Sequence, residues 1–125
     1  MGLDIYAYSG DPDLLPEDTS VGQQLLRASG DLTSQLGLQE LCHWRNHWEL
    51  AEWLEMIYRD RGYQDDFNLS FVRIYENDLK AMEREMAGGT LRQEDEQLRL
   101  QDAGFVTRAK DLLKRGQAIV IHSWF

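Results

Sequence analysis

The chain has few of the residue types that would mark a chemistry. Among its 125 residues there is one cysteine and there are two prolines. A single thiol, Cys42, forms no internal disulfide. No apolar run approaches the roughly 20 residues that span a bilayer. Met1-Gly2-Leu3-Asp4-Ile5-Tyr6 lacks a basic stretch followed by a long apolar one, so it does not read as a secretory signal. Tyr6 stands where a myristoylation motif needs Ser or Thr. The expectation is a soluble, cytoplasmic protein with no membrane partner. Positive charge is scarce as well: 13 Lys and Arg face 22 Asp and Glu, a net charge of -9. That balance argues against direct nucleic-acid binding, which rests on a basic surface. No HExxH pattern, phosphate-binding glycine loop or Cys–His protease signature is present.

What the chain does have is concentrated. Leu41-Cys42-His43-Trp44-Arg45-Asn46-His47-Trp48-Glu49-Leu50-Ala51-Glu52-Trp53 holds three of the four tryptophans and two of the three histidines. Tryptophan brings a large apolar surface, so this segment organises either the core or a binding face. The acidity is uneven. Residues 1–37 carry six acids and one base, whereas residues 90–125 carry five acids and six bases. Asp11, Asp13, Glu17 and Asp18 form one acidic patch suited to a basic protein partner. Net negative charge also serves solubility alone.

The pattern along the chain predicts one small α+β domain over residues 1–125, with about three strands packed against three or four helices. Leu3 to Tyr8 alternates like a strand. Residues 9–37, rich in Asp, Ser, Gly and Pro, read as a variable loop or short-helix insertion. Leu38 to Arg61 reads as one unbroken helix ended by Gly62. In that helix Arg45 pairs with Glu49, and Trp44 and Trp48 are mostly buried. Leu69 to Tyr75 reads as a strand and Glu76 to Ala87 as a helix stopped by Gly88-Gly89. Residues 90–102 read as a charged loop or frayed helix. Phe105 to Arg115 reads as a helix capped by Gly116, and Gln117 to Phe125 as a final strand.

Three constellations bear on function. His43 and His47, one helical turn apart, form with His122 a conceivable zinc site, but no further Cys or His supports it, and no metal or cofactor is expected. Arg45, set among aromatics, is of the type that grips a carboxylate or phosphate. The acid runs Asp65-Asp66 and Glu94-Asp95-Glu96 read as solvated loops rather than as acid–base pairs.

Trp44, Arg45, His47, Leu50 and Trp53, followed by Ile57-Tyr58-Arg59, Asp66-Phe67-Asn68, Asn77-Asp78-Leu79 and His122-Ser123-Trp124, carry a family likeness. From about Leu41 to Phe125 the chain resembles small phage and prophage proteins of unknown function, often labelled "phosphoglycerate kinase". Their pattern runs Tyr-Trp-Arg-Lys-His-Pro-Asn-Leu-His-Gly-Trp. Here Trp48 replaces the proline, Glu49 the asparagine, Ala51 the second histidine and Glu52 the glycine. Trp48 in place of proline agrees with an uninterrupted helix from Leu38. A Thr-Ser-Gly-Phe-Phe-Phe-Gly segment of the family is replaced by Gly88-Gly89-Thr90-Leu91-Arg92. With much of the polar signature gone, the resemblance implies a noncatalytic phage or prophage accessory protein. It would bind a host or competitor protein, as an anti-defence inhibitor. Two alternatives stand beside it. One is a small-ligand or hydrolytic site around Arg45, His47, His122 and Trp124. The other is an immunity-type protein that neutralises a basic toxin.

Overall fold

The computed structural model describes residues 2–13, 37–64, 66–68, 70–89, 91 and 94–125. Their elements are β1 (Asp4–Gly10), β2 (Gln39–Arg45), α1 (Trp48–Asp60), β3 (Phe71–Ile74), α2 (Glu76–Gly88), α3 (Glu96–Lys114) and β4 (Ala118–Trp124). The strands form one antiparallel sheet in the order β2-β1-β4-β3. This is the expected α+β class, with four strands rather than three and three helices among the described residues. None of those helices is long and apolar enough to cross a membrane.

Alternation assigns the two sheet faces. Ile5 and Ala7 of β1, Trp44 of β2, Val72 and Ile74 of β3, and Ile119 and Ile121 of β4 point into the main core. Helix α1 adds Leu50, Ala51, Trp53, Leu54 and Tyr58 to it; α2 adds Leu79 and Met82, and α3 adds Phe105, Val106 and Ala109. The helices therefore share one face of the sheet. Phe71, Ala118 and Val120 belong to a second, smaller cluster on the opposite face.

The long helix expected from Leu38 to Arg61 is instead a strand, a corner and a shorter helix. Trp44 and Trp48 are four apart, which fits a helix, but Cys42 and Trp44 also alternate with His43 and Arg45, which fits a strand. Pairing with β1 decides between them. Asn46 then takes φ 58°, in the left-handed region that Asn tolerates better than most residues. Its backbone N–H bonds the Leu3 carbonyl at 2.8 Å, and its side-chain oxygen accepts from the Leu3 N–H at 2.9 Å. A helix cannot pass through this residue. Helix α1 starts at Trp48, so the tryptophan does not extend the helix upstream. Trp44 is fully buried, as expected, and meets Phe105 edge-on at 5.1 Å. Trp48 is 47% exposed, against expectation. The expected Arg45–Glu49 pair is absent because Arg45 lies on β2 and bonds Asp4.

The remaining boundaries differ less. Ser9 and Gly10 belong to β1, and residues 14–36 of the expected insertion lie outside the described residues. Helix α3 begins nine residues before Phe105. Asp95, read as part of a solvated run, is its N-cap and accepts from the Leu98 N–H at 3.1 Å. Gly62 and Gly116 follow α1 and α3 with φ of 96° and 84°, the left-handed ending that glycine adopts without strain.

Side chains occupy outward carbonyls on both edge strands. On β2 the Leu41 carbonyl accepts from Arg108 at 3.0 Å, and the His43 carbonyl accepts from Gln101 at 2.8 Å. On β3 the Arg73 carbonyl accepts from Arg61 at 2.7 Å; the same guanidinium bonds Asp78 at 2.9 Å. Unpaired edge carbonyls invite pairing with another chain, and these donors occupy them. Replacing both Gln101 and Arg108 by alanine uncovers the β2 edge. The double variant is expected to self-associate more with rising concentration than the parent chain, as read by size exclusion with light scattering. An unchanged mass profile would show that the edge needs no such cover.

Candidate functional site

On the sheet face without a described helix, residues His43, Tyr6, His122 and Phe71 form one rung across all four strands. The rung is two stacked pairs. His43 lies on Tyr6 at 4.3 Å with 7° between planes, and Phe71 lies on His122 at 4.3 Å with 19°. His122 is buried, and its Nδ1 is 3.1 Å from the Ser70 carbonyl, which places the ring proton there. Burial pushes its pKa below the ordinary 6.5, and the Ser70 bond opposes that in part.

Asp4 pairs across the ladder with both Arg45 and Trp124. Its carboxylate meets His43 Nε2 at 2.8 Å and Arg45 Nη1 at 3.1 Å. The His43 bond, helped by the Arg45 charge, holds the Asp4 carboxyl below its usual range against some burial. The guanidinium lies against Gly2, where an added Cβ would stand 2.8 Å from Nη2. An open cleft of about 450 Å³ adjoins it, lined by His43, Arg45, Asn46, Asp95, Gln97, Leu98 and Gln101. Apart from Leu98 these side chains are hydrogen-bond donors and acceptors, with no Ser, Thr, Cys or Lys among them.

His47 sits elsewhere. It is fully buried and ends β2's corner as the N-cap of α1, its Nδ1 accepting from the Leu50 N–H at 3.3 Å. Nδ1 therefore carries no proton, and Nε2–H donates to both carboxylate oxygens of Asp102 at 2.9 and 3.1 Å. Asp102 is buried too. The structure thus brings Arg45, His122 and Trp124 onto one sheet face and puts His47 in the helix layer. Among the described residues no group of three or more His, Cys, Asp or Glu side chains is arranged to hold a metal ion. The Cys42 thiol is pushed up to about 11, first by burial and then by the nearby Asp102 charge, so it is not the thiolate that nucleophilic chemistry needs. Asp11 and Asp13 are exposed just after β1, with the Asp13 N–H on the Asp11 carboxylate at 2.9 Å. Glu17 and Asp18 lie outside the described residues.

Sequence reasoning missed three residues here: Asp4, Asn46 and Asp102. Asp102 left one signal. It continues the stripe of Phe105 and Ala109 at helical spacing, and an acid on an apolar stripe demands a buried partner.

The other exposed feature is aromatic and acidic. At about 100° per residue, Trp48, Glu49, Glu52, Glu55, Met56, Arg59 and Asp60 fill one arc of α1, opposite its buried residues. Trp48 meets Phe125 edge-on at 6.0 Å, and Phe125 is held by Asn68, which donates to its carbonyl at 2.6 Å and accepts from its N–H at 2.9 Å. Trp124, next along the chain, is 57% exposed. The class of protein is a small α+β fold with four antiparallel strands. No protein-family model, no curated protein and no solved structure matches the chain.

Two predictions test this geometry. Replacing His47 by alanine strands the Asp102 carboxylate in the core and should cost about 3–5 kcal/mol in denaturant unfolding. Asp102→Ala leaves only a neutral N–H unpaired and should cost less, about 1–3 kcal/mol. Equal or reversed losses would show that the buried Asp102 side chain does not depend on His47.

The second concerns pH. With its folded pKa below 6.5, His122 takes up a proton more readily unfolded than folded. Its contribution is therefore present above pH 6.5 and is lost as pH falls from there through the folded value. The melting temperature should drop in that window, and His122→Phe, which keeps a ring on Phe71, should flatten the drop. Asp4 acts separately, below its ordinary 3.8. A variant with the parent slope would assign the drop to other groups.

Proposed function

We propose that this chain is a noncatalytic protein-binding domain whose α1 face engages a basic surface of a partner protein. The observation that carries this is Trp48, a large aromatic 47% exposed on a helix face otherwise made of Glu49, Glu52, Glu55, Asp60, Met56 and one base, Arg59. Exposed aromatics ringed by charge are common anchors of interfaces, and the acids select a cationic partner and speed its approach. Phe125 extends the aromatic surface beside it. The occupied edge carbonyls favour docking by side chains over strand addition. The likeness to phage and prophage proteins supports an accessory role against a host or competitor protein, with inhibition of a defence protein as its form. A cytoplasmic setting fits the single unpaired thiol.

The site around Arg45 supports a ligand or hydrolytic reading less well. His47 is spent on Asp102, and Arg45 and His43 are both held by Asp4. An immunity-type role would use the same acidic face, so the identity of the partner separates the two binding readings.

Affinity capture from bacterial lysate with the parent chain and with a Trp48→Ala, Glu52→Lys variant tests the proposal. A stoichiometric basic partner held by the parent and lost by the variant is expected, with binding weakened by about 2 kcal/mol or more. A partner retained equally by both would move the interface off α1.

A further inference from the structure

The chain is acidic, yet three lysines from two helices line one recess. Helices α2 and α3 enclose a cleft of about 270 Å³, lined by Glu76 and Lys80 of α2 and by Lys110, Leu113 and Lys114 of α3. At roughly 30 Å³ per water molecule this is the room of about nine waters, a volume suited to a small ligand and not to a polymer. Lys110 and Lys114 are one turn apart on α3, where like charges repel. Lys110 is bonded to Glu83, and Lys80 is 3.6 Å from Glu76 in a pair exposed on both sides. Lys114 makes no ion pair or hydrogen bond among the described residues. The dipole of α3 favours a cation in its last turn and so accounts for Lys114 alone. It does not account for Lys80 in the second turn of α2, turned to the same recess near that helix's positive end.

We propose that this recess binds a small phosphorylated anion, with Lys80, Lys110 and Lys114 as its cationic walls and Leu113 as an apolar floor. Lysine serves phosphate as a mobile point charge on a flexible stem. A monovalent carboxylate would gain less, because Glu76 and Glu83 already offer carboxylates to two of the three lysines. A ligand with two or more charges can displace them. The recess lies on helices that do not carry the α1 face, so the two sites stand or fall apart.

The probe is inorganic pyrophosphate, titrated at low salt into the isotope-labelled full chain and followed by amide chemical shifts. Saturable shifts confined to residues 76–83 and 110–116 are expected. Lys110→Gln with Lys114→Gln should weaken the saturation midpoint by about tenfold or more, two charge-assisted contacts being lost. Glu83→Gln should tighten it by releasing Lys110. Non-saturating shifts spread over every basic residue, or an unaltered midpoint in the double lysine variant with its circular dichroism intact, would overturn the proposal.

Discussion

The buried contact between His47 and Asp102 is the constraint on which the arrangement around β2 depends. A carboxylate taken out of water is costly unless it is paired and hydrogen-bonded. Here its partner is a ring whose other nitrogen is already committed to the first turn of α1. One side chain thus caps a helix, ends a strand and tethers a second helix 55 residues further on. Because the tether reaches the middle of α3, it also sets that helix's rotation. Asp102 and Phe105 turn toward the corner and Trp44, while Gln101 and Arg108 fall beside the free carbonyls of β2. The closure of that sheet edge is in this sense a consequence of the buried pair.

A parallel device works at the opposite edge with half-buried parts. Arg61, just past α1, joins the β3 edge to the first turn of α2 through Arg73 and Asp78. Asp78 in turn accepts from the Tyr75 N–H at 2.8 Å and so caps α2. The two edges differ in expense. The Arg61–Asp78 contact is partly solvated and correspondingly weak, whereas His47–Asp102 is dry and costly to break. Stability is therefore expected to be unevenly distributed, with the β2 corner opening last.

Strands β1, β3 and β4 and helix α2 were legible because alternation, glycine stops and the order of elements agree there. Residues 38–47 were not, because the same apolar positions satisfy a period of four and a period of two. Only the ladder with β1 separates them, and its partners are some forty residues away. Neither glycine nor proline marks the break; a single Asn in the left-handed region does the work, and Asn carries no such reading by itself. The site was legible in part. Arg45 was singled out as a cation among aromatics along the chain, whereas its partner in the structure is Asp4 on another strand. His47 was singled out for its spacing to His43, and that spacing has no meaning once a strand and a corner intervene. Buried partners at long sequence separation leave little local trace beyond a charge on an apolar stripe, as Asp102 does.

Position 48 links the sequence likeness to the proposed binding face. In the pattern that the chain resembles, proline stands where Trp48 does. That residue is the first of α1, the one helical position where proline is favoured, because its missing N–H would bond nothing there. Exchange between proline and tryptophan at this place leaves the helix start intact, since His47 supplies the cap in either case. What changes is the surface. A compact ring becomes a large indole standing in solvent between acidic neighbours, at a cost in exposed apolar area that folding does not recover. Burial against another molecule recovers it. Glu49 and Glu52, which also differ from that pattern, put negative charge on the same arc. Trp48, Glu49 and Glu52 thus share the exposed side of one helix without disturbing its start, while Ala51, on the buried side, keeps the packing beneath them.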